Sequence, residues 1–174
     1  MNIKKWRKIS IIVCLVLGTL LHFTYEWSGE NKFVALFSAV NESTWEHLKL
    51  SFFPMFIMFV IGYFLFGKNT NNYIKGNVTG ILFSIAFVTI FFYTYTGIIG
   101  RGFGIVNILT FVVSIILGEY ISYIIINNSK SEQNSRIYLI VLCIFLVSFL
   151  IFTFYPPQIA YFKDPITGLY GIMQ

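Results

Sequence analysis

Residues 41–66 read NESTWEHLKLSFFPMFIMFVIGYFLF, and this stretch decides the fold. From Leu50 to Phe66 it carries no charged residue. A helix crossing a bilayer needs about 20 largely apolar residues. The apolar positions do not alternate with polar ones, as they would in a barrel strand, so the run is helical. Its mouth is different in kind: Glu42, Glu46, His47 and Lys49 crowd into a few residues. Ser43 with Glu46 three positions later has the form of a capping box, which starts the helix at Thr44. Pro54 lacks a backbone donor and is expected to kink the helix it sits in.

The same reading extends over the whole chain. Of its 174 residues 57% are hydrophobic and 11% charged, against roughly a quarter charged in a soluble domain, so a water-facing surface could not be covered. Helices are expected over about 9–27, 44–66, 77–96, 103–126 and 137–155, with a tail over 156–174 that follows Pro156 and Pro157. In the loop before the second span, Phe33, Leu36, Phe37 and Val40 recur at helical spacing over too few residues to cross. They predict a short interfacial or re-entrant helix. The fold class is therefore all-α, a single polytopic membrane domain over 1–174 with five spans. The first span keeps its basic start, 1–8, and shows no small-residue cleavage site after it, so it reads as an uncleaved anchor.

Orientation follows from Lys and Arg. Of the 12 such residues, Lys4, Lys5, Arg7, Lys8, Lys68, Lys75, Lys130 and Arg136 fall on the N-terminal side and Lys32, Lys49, Arg101 and Lys163 on the other. This places the N-terminus in the cytoplasm and the tail outside, in a cell membrane. The net charge of +5 is thus a matter of topology, and no nucleic-acid partner is implied. Cys14 and Cys143 both lie in apolar runs without metal or redox spacing and read as small buried hydrophobes.

Both histidines fall on the outer side. His22 and Glu26 are one turn apart and share a face of the first helix. Glu46 and His47 enter the second helix at matching depth, and the connecting loop is short enough to make the two helices neighbours. Imidazole nitrogen and carboxylate oxygen are ligands for a divalent cation such as zinc, and a fourth position would hold water. The expected ligands are His22, Glu26 and His47, with Glu46 as general base toward a metal-activated water. Glu46 also reads as a plain helix cap, and His22 as a hydrogen-bonding partner of Glu26. Glu42, Arg101, Asn107 and Asp164 lie on the same side and complete the polar set. Glu119 is separate: an acid deep in the fourth span is costly and should be enclosed by protein.

No phosphate-binding glycine loop, nucleophile elbow or His-Glu-x-x-His motif is present. Three function classes remain open: a cation-dependent hydrolase of a lipid or envelope substrate, a transporter or permeation subunit using the outer cluster and Glu119, and a non-catalytic membrane partner or immunity-type protein.

Three motifs, His22-Phe-Thr-Tyr-Glu-Trp-Ser-Gly29, Asn41-Glu-Ser-Thr-Trp-Glu-His-Leu-Lys49 and Asp164-Pro-Ile-Thr-Gly-Leu-Tyr-Gly171, resemble those of a family of small bacterial multi-spanning membrane proteins of unknown function. That resemblance implies that outer loop and tail belong to one module, and it supplies no reaction. A looser likeness is to membrane zinc hydrolases of the alkaline ceramidase type, which gather three histidines within seven spans. This chain has two histidines, so a carboxylate would stand in for the third imidazole.

Overall fold

Asn2 sets where the first helix begins. Its side chain accepts a hydrogen bond from the Lys4 N–H at 2.9 Å, so α1 runs over Ile3–Trp27 rather than from residue 9. The computed structural model describes residues 2–128 and 134–172. After α1 come the short α2 (Lys32–Ala35), α3 (Thr44–Leu65), α4 (Tyr73–Ile99), α5 (Gly104–Asn128) and α6 (Arg136–Phe154), with one-turn 3-10 helices at Gly67–Asn69 and Ala160–Phe162. Five of these helices are long and apolar enough to cross a membrane. Lys130 and Glu132, in the loop before α6, lie outside the described residues.

α3 is the hub, with buried residues on every side of it. It stays helical through Pro54. Proline leaves the carbonyl four residues earlier, that of Leu50, without its helical donor. That carbonyl faces Gly18 of α1 so closely that a Cβ there would lie 2.3 Å from it. The missing side chain lets the two backbones meet where proline has left an acceptor free.

The tightest helix pair is α4 against α5. Gly80 and Gly118 face each other so that a Cβ on either would come within 2.4 and 2.6 Å of the other's carbonyl oxygen. One turn on, Ser84 donates to Ser114 at 3.1 Å. Between membrane helices association depends on close packing and such bonds, and small residues in register permit both. α6 is held mainly by aromatic rings: Phe149 packs 4.6 Å from Trp45 and 4.8 Å from Phe52, centroid to centroid. The outward face of α6 is exposed and includes Cys143, contrary to its expected burial, whereas Cys14 on α1 is enclosed.

The loop between α1 and α3 folds back onto the bundle. The short helix is only four residues long because its end is drawn inward by a lysine. Lys49 Nζ donates to Ala35 O at 2.9 Å and Ser38 O at 3.2 Å, and also to Glu46 Oε2 and Thr153 Oγ1, both at 2.6 Å. Ammonium groups suit the carbonyl end of a helical turn. Ser38 Oγ and the Ala39 N–H both bond Leu21 O, at 2.8 and 3.3 Å, fixing the loop beside the last turns of α1.

Candidate metal centre

The folded-back loop brings the chain to the level of His22. Ser38 and Ala39 rest on the Leu21 carbonyl, so the segment that follows delivers Glu42 beside the next residue of α1. His22 comes from α1, Glu42 from the loop and His47 from the first turn of α3. Ligand atoms of these three residues lie within 4.8 Å of one another, the one such histidine–carboxylate group among the described residues.

His47 Nε2 is 3.4 Å from Glu42 Oε2, and His22 Nε2 is 4.0 Å from Glu42 Oε1. Zinc at about 2.0–2.1 Å from each ligand gives tetrahedral edges of about 3.3–3.4 Å, which the His47–Glu42 pair matches, while His22 stands wider, on the other carboxylate oxygen. His47 Nδ1 is 2.9 Å from Ser43 O. A carbonyl only accepts, so Nδ1 carries the proton and Nε2 presents its lone pair to the group. Fixing the distant ring nitrogen in this way is what orients metal-ligating histidines. The two imidazoles meet edge to face at 5.1 Å, and His22 stacks on Phe23 at 4.9 Å. The side chains of His22, Glu42 and His47 keep 36, 42 and 29% of their surface exposed, so the cluster has an open side.

The other expected residues lie elsewhere. Glu26 is exposed and stands outside the group. Glu46 turns inward. It is 1% exposed, pairs with Lys49 and accepts the Val40 N–H at 3.1 Å. The same residue is capped by Ser43 Oγ, which accepts its N–H at 3.3 Å. Glu46 is thus a support for the loop and offers no base to the three ligands. Arg101 is exposed, with its guanidinium 4.7 Å from the Phe103 ring. Asn107 accepts from Tyr95 Oη, whose oxygen in turn accepts the Phe103 N–H at 3.1 Å, so it ties α5 to α4. Asp164 Oδ1 accepts the N–H groups of Ile166 and Thr167 at 2.7 and 3.3 Å, which shapes the turn in the tail. The tail covers the α3 entrance: Phe162 packs 5.0 Å from Trp45, and Gly171 O accepts from Asn41 Nδ2 at 2.9 Å.

Glu119 sits at the N-terminal end of the bundle and is 2% exposed. Arg7 Nη1 meets its Oε2 at 2.7 Å and Ser10 Oγ donates to its Oε1 at 2.6 Å. Arg7 Nη1 also donates to Asn77 Oδ1 at 2.9 Å. Sequence reading treated Arg7 as one flanking cation among four. The signal that could have singled it out is its register: Arg7, Ser10, Cys14 and Gly18 recur every three or four residues, on the face of α1 that is buried.

The chain belongs to the DUF6512 family, a family of unknown function, whose model matches residues 1–172. No curated protein and no solved structure shows significant similarity to it. Membership therefore carries over no reaction, and the likeness to alkaline ceramidases gains no support from these comparisons.

Proposed function

We propose that this protein is a multi-pass membrane protein with a divalent-cation site formed by His22, Glu42 and His47, used as a hydrolase centre toward a lipid or envelope substrate. The observation that carries this reading is the convergence of three ligand atoms within 4.8 Å on an open face. Two imidazoles and one carboxylate with a free fourth position is the ligand set of catalytic rather than structural zinc. A zinc-bound water ionises near neutral pH, so a hydroxide can form without a dedicated carboxylate base. In hydrolysis the water oxygen joins the acyl or phosphoryl centre, the ester oxygen leaves as an alcohol, and the water's proton passes to it. Phe23 and Trp27 beside His22 are exposed and stacked at 5.6 Å. Such an aromatic margin suits the membrane interface, where the polar part of an amphiphile lies.

The transport reading has less support. A path from the cluster to Glu119 along α1 passes Gly18, which is packed against Leu50 O and the Phe111 ring. At its inner end the carboxylate is already occupied by Arg7 and Ser10.

Metal analysis of detergent-purified protein tests the site. About one zinc per chain is expected, with loss of more than tenfold in affinity on His22→Ala, Glu42→Gln or His47→Ala. Glu26→Gln should bind as the parent does. Wild-type protein that takes up no zinc, nickel or manganese ends the proposal. The Lys/Arg asymmetry orients the site outward. A reporter fused at Asn71 should then read cytoplasmic; an exterior reading would place the cluster inside.

A further inference from the structure

Glu42 is the one member of the cluster that no helix holds, since His22 stands on α1 and His47 on α3. Its position is nonetheless fixed from both sides. Asn41 Oδ1 accepts the Ser43 N–H at 2.9 Å. This closes a ring around Glu42, because an asparagine bonding the N–H two residues on makes an Asx turn with the intervening residue at its centre. Ser43, the other end of the ring, offers its carbonyl to His47 Nδ1 at 2.9 Å. One short segment therefore sets both a carboxylate and an imidazole.

The outer half of the Asn41 amide reaches across the chain. Its Nδ2 donates to Gly171 O at 2.9 Å, 130 residues further on. Gly171 is itself wedged in place. It has φ +56°, and a Cβ would lie 2.7 Å from Thr153 O and 3.0 Å from Pro156. The next residue, Ile172, donates its N–H to the same Thr153 carbonyl at 3.1 Å. The amide thus joins the ligand turn to the C-terminal end of α6.

Resting on the metal reading above, we infer that Asn41 is a positioning residue for the cation site and that the tail segment at Gly171 is its anchor. Through the Asx ring the anchored amide holds Glu42 and Ser43, and through Ser43 it holds the ring orientation of His47. Outer groups of this kind alter metal affinity by about 10–100-fold when removed, without touching the ion.

Asn41→Ser tests this directly. The serine hydroxyl can still accept the Ser43 N–H but is too short to reach Gly171 O. Zinc affinity, measured by competition with a chromophoric chelator in detergent, should fall at least about tenfold. With cobalt as probe, the visible d–d bands of the bound ion should weaken, as Glu42 ceases to hold its place. Gly171→Ala, far from every ligand in sequence, should move both readouts in the same direction. Tyr161→Phe removes another tail contact, the 2.8 Å bond to Thr89, and should leave zinc affinity at the wild-type value.

If Asn41→Ser and Gly171→Ala both bind zinc like the wild type while Glu42→Gln does not, the positioning role is wrong and the site stands. If Tyr161→Phe weakens zinc as much as the other two, the effect is general loosening of the tail and Asn41 has no special part. If the wild type binds no zinc, the site itself is refuted and the positioning role goes with it.

Discussion

The two ends of the bundle each hold a carboxylate among polar partners, and they are built on opposite terms. At the N-terminal end Glu119 is 2% exposed and faces a guanidinium and a hydroxyl, both donors. At the other end Glu42 is exposed and stands 3.4 Å from His47 Nε2, which presents a lone pair because its ring proton is on Nδ1 toward Ser43 O, and 4.0 Å from His22 Nε2. A carboxylate among donors is satisfied by the protein. A half-exposed carboxylate beside a lone pair is left to water or to a cation. Burial and the number of donors, more than residue type, set the two ends apart.

Mutation of the inner pair should show the larger effect. Arg7→Met or Glu119→Gln leaves the other group buried without its counter-charge, a change that costs about 3–5 kcal/mol in comparable buried pairs. Thermal unfolding in detergent should drop steeply for either, and the double variant Arg7→Met with Glu119→Leu should recover part of the loss. Equal stability of both single variants and the wild type would mean that the inner pair is not a closed one, and the contrast would fail.

The end holding His22, Glu42 and His47 should give a smaller and conditional effect. Glu42→Gln in metal-free protein should shift stability by no more than about 0.5 kcal/mol, as expected of an exposed substitution. Zinc at a hundred times its Kd should stabilise the wild type by about 2.7 kcal/mol through mass action. That increment should fall by at least about half in Glu42→Gln, for a tenfold or greater loss of affinity, and persist in Glu26→Gln. A zinc increment that survives Glu42→Gln unreduced would transfer the binding to other groups and remove the distinction drawn between the two ends.

Most of the architecture was legible because the bilayer imposes a simple rule. Runs such as Leu50 to Phe66 must be helical, and the capping pair Ser43 and Glu46 marks the start of α3 where the structure has it. The ends were less legible. α1 starts at Ile3 because the Asn2 cap and the buried register of Trp6 and Arg7 extend the helix through a basic turn that looked like a flank. At the cluster, helical spacing correctly related His22 to Glu26 on one helix, but it had nothing to say about Glu42, which lies on a loop. Glu42 is placed by Lys49 drawing in the Ala35 and Ser38 carbonyls and by the Leu21 carbonyl receiving Ser38 and Ala39. Those are long-range bonds to backbone, and backbone carbonyls have no signature in sequence. Lys49 and Glu46, one turn apart, were readable as a pair; their complete burial was not.

The three N–H groups of Lys49 are shared among four acceptors, and one of these belongs to α6. Thr153 stands 104 residues after it, on α6. The ammonium that gathers the Ala35 and Ser38 carbonyls of the loop therefore also reaches α6, which Phe149 seats against Trp45 and Phe52. A contact spanning 104 residues of sequence thus couples the loop that carries Glu42 to the packing of α6.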